Sequence, residues 1–387
     1  MKTTCGLAPA WCCASIESAI LFEGPRPDAA TPGTDPSTID AVTEHAIAGV
    51  DIGGTKTAVT LALDPPRTVS RAEFPTDPQR GPEHAIASVI DHLRRALAAP
   101  EMRQTGLAAI GIGCGGPLDA ARGIVQRPPN LSTWDDVPIV DLLATEFGVP
   151  CFLENDANAG ALAELRFGAG SGARNMVFLT MGTGLGAGLI VNGELLRGAT
   201  DAAGEIGHLR LTRSGPVGYG KAGSVEGWAS GGGMAQVARM FAQAALLRGE
   251  TTLLCPQGTL PEAITAREVA AAARQGDGVA QRVARKVGEK LGDALAILVD
   301  VLNPERIVVG GLALRFGDAI LAPARRRMLR EALPDSARAC SVVPAGLGEE
   351  IGDVAALCVA MDGLARGSIA RAGAEPDLFR NAGYPKK

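Results

Sequence analysis

The sequence predicts an α/β fold built from two related halves that face each other across a cleft. Three observations carry this reading. A triplet of strand-like segments followed by helix occurs twice, at 47–98 and again from about 175. Each triplet opens on two apolar strands joined by a glycine-rich turn, at 53–54 and at 182–184. The chain has 387 residues, enough for two domains with ample core. The repeat is one of pattern, with no close repeat of sequence.

Composition narrows the functional classes. Fifty glycines and only 4% aromatic residues imply many tight turns. A net charge of −5 argues against a nucleic-acid surface. The eight cysteines, at 5, 12, 13, 114, 151, 255, 340 and 358, form no even framework. Most of those after residue 100 lie in apolar runs, where free cysteine behaves as a small buried hydrophobe. A reducing cytoplasm fits that usage. No apolar run reaches the roughly 18 residues that a membrane span needs.

Residues 1–45 contain Pro25, Pro27, Pro32 and Pro36 and show no steady period. They read as a disordered extension, without a signal peptide and without the two short helices of a DNA-reading helix-turn-helix. Strands follow at 47–52, 56–63 and 68–74, the last two separated by Pro65-Pro66. Ile86, Val89, Ile90, Leu93 and Leu97 recur at helical spacing and predict a helix over 82–98. A strand at 107–113 leads into Gly115-Gly116-Pro117, and a short helix fits 138–147. A strand at 150–153 runs into Glu154-Asn155-Asp156 and an alanine-rich helix. Strands at 175–180 and 185–191 flank the second glycine turn. Long helices follow near 228–248, 265–274 and 278–301. A buried strand at 306–309 ends in Gly310-Gly311, and a strand at 340–343 and a helix at 352–365 close the fold.

The first glycine turn reads Asp51-Ile52-Gly53-Gly54-Thr55-Lys56. Glycines let backbone approach a ligand and aim bare N–H groups at phosphate oxygens. Asp51 ends a strand, where a carboxylate suits Mg2+ held through its water shell, and Thr55 adds a hydroxyl. Alone, the stretch serves equally as a tight hairpin with a surface acid. The second, Gly182-Thr183-Gly184-Leu185-Gly186-Ala187, has Ala187 where a dinucleotide fingerprint needs glycine, and a strand where that motif needs a helix. It lacks the Gly-Lys-Ser/Thr of a Walker loop. Two hairpin loops facing across a cleft suit the β- and γ-phosphates of ATP.

Two acidic clusters complete the chemistry. Asp156 opens a helix, a place where Asp commonly serves only as a cap. There Asn155 could bond a ligand hydroxyl while Asp156 accepts its proton, the base that phosphoryl transfer needs. The second cluster, Gly204-Glu205-Ile206-Gly207-His208, places one of only four histidines beside a carboxylate. A satisfied structural histidine is the competing reading.

Asp-Ile-Gly-Gly-Thr-Lys, Glu-Asn-Asp-Ala-Asn, Gly-Thr-Gly-Leu-Gly and Gly-Glu-Ile-Gly-His, in this order and spacing, resemble the ROK family (repressor, open reading frame, kinase) over roughly 47–370. The resemblance implies two actin-like (ribonuclease-H-like) domains with the active site between them, and a homodimer or dimer of dimers. The implied boundaries are a small domain at 46–155, joined by the last helix at about 352–370, a larger one at 156–351, and a flexible tail at 371–387. It implies Asp156 as catalytic base and Asn155, Glu205 and His208 as sugar-hydroxyl ligands. Gly116 and Asn130 match loops lining the sugar site. The donor side would be ATP with Mg2+, met by Asp51, Gly53, Gly54, Thr55, Lys56, Gly182, Thr183 and Gly184, with Gly310 and Gly311 near the adenosine.

One departure is local. Members of the family commonly carry a zinc loop, Cys-x-Cys-Gly-x-x-Gly-Cys-x-Glu. Here the three cysteine positions hold Val217, Tyr219 and Ser224, while both glycines and Glu226 keep register. A closed zinc site needs four ligands, usually including thiolates, so no zinc is expected. Val217 and Tyr219 are expected to hold the loop by packing. Glu226 is expected at the sugar, with a solvated loop carboxylate as the alternative.

The activity implied is ATP-dependent phosphorylation of a primary hydroxyl of a hexose, as in glucose 6-kinases. N-acetylmannosamine, N-acetylglucosamine and C7-cyclitol (valiolone-type) acceptors are alternatives. From other classes come a sugar-responsive regulator and a non-catalytic sugar binder. The expected partners are a small sugar or cyclitol, with no nucleic acid and no membrane.

Overall fold

The computed structural model describes residues 45–102, 105–256 and 260–372. The extension and tail expected at the two ends lie outside them, as do Cys5, Cys12 and Cys13; His45 nevertheless opens the first strand, and the last helix reaches Ala372.

Strands β1 (His45–Ile52), β2 (Lys56–Asp64) and β3 (Arg67–Pro75) form an antiparallel meander. The free edge of β1 pairs in parallel with β4 (Gly106–Cys114). A small hairpin, β5 (Leu118–Asp119) and β6 (Ile124–Val125), follows. Parallel β7 (Cys151–Asn155) completes a sheet of order β3-β2-β1-β4-β7. Helices α1 (Pro82–Leu97) and α2 (Ile139–Phe147) bury Ile86, Val89, Leu93, Ile139 and Leu143 against Ala48, Val50, Ile110 and Ile112 on one face of it.

Helix α3 (Asp156–Phe167) leads to the second sheet. There β8 (Met176–Met181), β9 (Leu185–Val191) and β10 (Glu194–Leu195) form another antiparallel meander. The hairpin β11 (Val217–Gly218) and β12 (Lys221–Ala222) comes next, then helices α4 (Val225–Ala229), α5 (Gly231–Leu247), α6 (Ala266–Arg274) and α7 (Gly278–Leu302). Parallel β13 (Arg306–Val309) follows, then α8 (Leu312–Phe316), α9 (Asp318–Glu331), α10 (Pro334–Ala339) and parallel β14 (Ser341–Pro344). The order is β10-β9-β8-β13-β14, the same plan as the first sheet strand for strand. The repeat of pattern in the sequence is therefore a repeat of topology.

The chain then returns. Helix α11 (Ile351–Ala372) packs on β1, β4 and α3. It lies on the face of the first sheet opposite α1, where Gly49 and Gly111 leave room for Ala356 and Ala360.

Two expected boundaries differ. The strand expected to end at 153 continues through Asn155. The helix expected over 228–248 is two helices broken at Ser230, whose Oγ accepts from the Gly233 amide at 3.0 Å. Among the described residues, no helix is long and apolar enough to cross a membrane. The five described cysteines are all buried.

Candidate functional site

The candidate residues leave the carboxyl ends of parallel strands. In the first sheet Ile52 of β1, Cys114 of β4 and Asn155 of β7 are in register, so Gly53-Gly54, Gly115-Gly116 and Asp156 emerge along one edge. In the second sheet β8 and β13 deliver Gly182 and Gly310-Gly311 in the same way. Ligands of open α/β sheets collect at such edges.

The two loop tips are closed by their own backbones. Gly53 N–H donates to the Lys56 carbonyl at 3.0 Å, and Thr76 Oγ1 donates to the Gly53 carbonyl at 2.7 Å. Gly182 N–H donates to the Gly184 carbonyl at 3.0 Å. The first amides of α5 pull the second tip's carbonyls aside: Gly231 N–H donates to Gly182 O at 2.9 Å and Gly232 N–H to Thr183 O at 3.3 Å. Gly54, Thr55, Thr183 and Gly184 keep N–H groups without an acceptor among the described residues.

Glycine at 54 is required by approach: a Cβ there would stand 2.5 Å from Asn130 Cβ, which brings Asn130 against the first tip. A Cβ on Gly184 would stand 2.6 Å from Glu226 Oε2, whereas Gly182 faces open space. Gly311, with φ of 64°, caps α8 under the second tip, where any side chain would overlap the Met181 carbonyl. Lys56 is exposed, and its Nζ is 2.9 Å from Glu73.

The acids influence one another in series. Asp51 sits in β1 beneath α11, where Gly352 has no side chain to overlap its carboxylate. Loss of water, then the nearby Asp156 and Asp353, raise its pKa from 3.8 to about 6, against the pull of Lys56 and Arg71. Arg71 Nε is held by Asp353 Oδ2 at 2.5 Å. Asp156 opens α3, but the cap is its neighbour: Asn155 Oδ1 accepts from the Ala157 amide at 2.9 Å. That leaves Asn155 Nδ2 turned toward Gly116, whose ideal Cβ would be 3.2 Å from it. The Asp156 residue is exposed, yet neighbouring protein displaces water from its carboxyl and raises its pKa; the Ala157 amide opposes this, and Glu205 adds to it. Asp156 thus feels Glu205 and is itself felt by Asp51.

Glu205 and His208 are exposed on a 3-10 turn, Ile206–His208, laid over the start of β9. Glu226 is no loop residue. It sits half-buried in α4, and its Oε2 accepts from the Leu185 amide at 3.1 Å beside Gly207. The expectation that Val217 and Tyr219 pack the altered loop is corrected: they are 47% and 73% exposed, and the Tyr219 ring stands edge-on to His208 with centroids 6.3 Å apart. Polar bonds hold the loop instead. Gln236 accepts from Val217 N–H at 2.9 Å and donates to Val217 O at 2.8 Å, Ser224 Oγ caps α4, and Lys221 Nζ donates to His208 O at 2.6 Å.

Several supporting residues escaped the sequence reading. Glu154, only 2% exposed, pairs with Arg197 at 2.9 Å, and Arg197 reaches Asp362 of α11 at 3.0 Å. This latch ties β7, the loop after β10 and the last helix directly behind Asp156. Its members are far apart in sequence and carry no local signal. The role of α5 did have one, the run Ser230-Gly231-Gly232-Gly233.

The residues fit a Mg2+-nucleotide. Free amides on both tips, open space at Gly182 and one poorly hydrated carboxylate suit a metal that keeps most of its waters and takes phosphate oxygens as ligands. Among the described residues, no group of three or more His, Cys, Asp or Glu side chains is arranged to hold a metal by itself.

Comparison with known proteins follows the same lines. The ROK family matches residues 47–362. A glucokinase of Halalkalibacterium halodurans is 34% identical over 79% of this chain and 91% of its own. A ROK family glucokinase from Streptomyces griseus, solved in complex with glucose and AMPPNP, superposes with a TM-score of 0.68 at 33% identity, covering 82% of this chain and all of that one. A xylose repressor of Caldicellulosiruptor bescii is 31% identical over 63% of this chain and 60% of its own.

Proposed function

The chain belongs to the ROK family, and from that premise we propose that it is an ATP-dependent kinase acting on a primary hydroxyl of a hexose, with glucose the leading acceptor. The observation that carries the reading is the position of Asp156. It lies electrostatically between Asp51, on the donor side, and Glu205, on the acceptor side. A base for phosphoryl transfer belongs between the metal-bearing phosphate and the attacking oxygen.

The chain's own groups divide the work. The amides of Gly54, Thr55, Thr183 and Gly184 receive phosphate oxygens from two sides, and Gly310-Gly311, packed against β8 beneath the second tip, lies toward the adenosine. Asp51 would hold Mg2+ through water, and the ion, when bound, would supply charge neutralisation at the phosphoryl group. Asn155, Glu205, His208 and Glu226 hold acceptor hydroxyls, and Gly116 and Asn130 close that side. Asp156 takes the hydroxyl proton; its raised affinity for a proton brings it closer to neutral pH, where a base works well. The relatives at about 34% identity are glucokinases, which supports the enzyme reading, and regulators of the family match as well.

The test is ADP release with Mg·ATP against glucose, other hexoses, N-acetylated hexosamines and cyclitols. Glucose is expected to give the highest kcat/KM; ADP release with no acceptor in the panel would defeat the kinase reading. Asp156→Asn should cut kcat by about 10²–10⁴-fold while AMPPNP still binds. Turnover near wild type in that variant would remove Asp156 from the role.

A further inference from the structure

Helices α7 and α9 wall a cavity of about 310 Å3 that is lined by none of the residues assigned above to donor or acceptor. Its walls gather five cations, Lys286 and Lys290 from α7 and Arg326, Arg327 and Arg330 from α9, against two carboxylates, Glu289 and Asp293. In a chain whose overall charge is −5, this is a local reversal of sign.

Asp293 is already engaged. It holds Lys290 Nζ at 2.8 Å and Arg327 Nε at 2.5 Å, and Arg327 also reaches Glu331 at 3.0 Å. Lys286, Arg326 and Arg330 have no carboxylate within ion-pair range among the described residues. Glu289 alone does not offset three cations.

The concavity is built into the helix crossing. A side chain on Gly288 would overlap the Ile320 carbonyl, and a Cβ on Gly292 would stand 2.5 Å from Arg327 Cβ. The two glycines therefore draw α9 down onto α7 and bring the cations of both helices around one hollow. Trp228 steadies the lysines, whose Nζ atoms stand 5.9 Å (Lys286) and 5.7 Å (Lys290) from its ring centroid.

We propose that this cavity is a binding site for a small phosphate-bearing anion. Like charges held together repel, and a ligand carrying two or more negative charges turns that repulsion into attraction. Arginine forks match phosphate oxygens two at a time, and Lys286 adds a point charge. The volume lies at the small end of ligand pockets, which suits one or two phosphates with a small organic body rather than a polymer.

Pyrophosphate is the probe. Calorimetric titration of the full-length protein should show a saturable site, and tryptophan emission should change over the same concentration range as the ammonium groups over Trp228 shift. In Arg326→Ser/Arg330→Ser, with thermal unfolding unchanged, affinity at this site should fall about tenfold or more, and Arg326→Lys/Arg330→Lys should recover part of it. Pyrophosphate bound at the cleft loops survives in both variants and appears as the residual isotherm. Isotherms identical in wild type and the serine variant, or no saturable binding in wild type, would overturn the proposal.

Discussion

Replacing Asp51 by Asn separates what the carboxylate costs the fold from what it contributes to the reaction. In the empty protein Asp51 is half-buried, faces Asp156 and Asp353, and holds its proton up to about pH 6 instead of 3.8. Its proton is bound more tightly in the folded chain than in the unfolded one. The carboxyl is therefore harmless to stability below about pH 4, where both states are protonated. Its cost builds as pH rises through the interval up to about 6 and is complete above it. At about 1.4 kcal/mol for each pH unit, that displacement sets a ceiling of about 3 kcal/mol. Residual solvent and the buried amide of Asn lower the expected gain to about 1–3 kcal/mol, or about 2–4 °C in Tm for a chain of this size. Thermal unfolding of metal-free, nucleotide-free protein at pH 7.5 should show Asp51→Asn more stable than wild type, with the advantage shrinking toward pH 4. Turnover with Mg·ATP should drop by about 10²-fold or more, since the amide orients the metal's waters poorly. A variant less stable than wild type at pH 7.5, or an advantage independent of pH, would refute the electrostatic account of this site.

Three other outcomes follow from single features. Gly311→Ala forces a Cβ into the left-handed region and onto the Met181 carbonyl, so it should cost about 1–3 kcal/mol in urea unfolding and weaken AMPPNP binding by displacing the second tip. Glu154→Gln takes away one of Arg197's two carboxylate partners and leaves Asp362, and should lower stability by about 1–3 kcal/mol, read from the denaturation midpoint. Metal analysis of purified protein should find no stoichiometric zinc, because the loop is closed by Gln236, Ser224 and Lys221; one zinc per chain would contradict this.

Strands were legible because their burial is regular: Ala48, Val50 and Ile52 alternate on one face of β1, and β8 and β13 are apolar on both. The glycine tips were legible because backbone approach demands one residue type. What escaped depended on partners distant in sequence. Ser230-Gly-Gly-Gly interrupts an otherwise helical pattern because α5 must present bare amides to the second tip, a tertiary need that apolar periodicity does not report. Asn155 rather than Asp156 caps α3 because β7 runs two residues further than its apolar stretch, moving the boundary. The altered loop invited a packing explanation from Val217 and Tyr219, yet the stabilising groups were polar and lay up to 19 residues away, at Gln236.

The return of α11 fixes an order of events during synthesis. Gly49 and Gly111 present backbone on one face of the first sheet, and the residues that cover them, Ala356 and Ala360, emerge from the ribosome some 250 residues later than β4. Until then that face stays uncovered while the second half, whose core from β8 to α10 is nearly continuous in sequence, is complete enough to fold. The first half to be made is thus the last to be finished. Chains cut before residue 351 should stall with an exposed apolar sheet and depend on chaperones, whereas cuts beyond α11 should be tolerated.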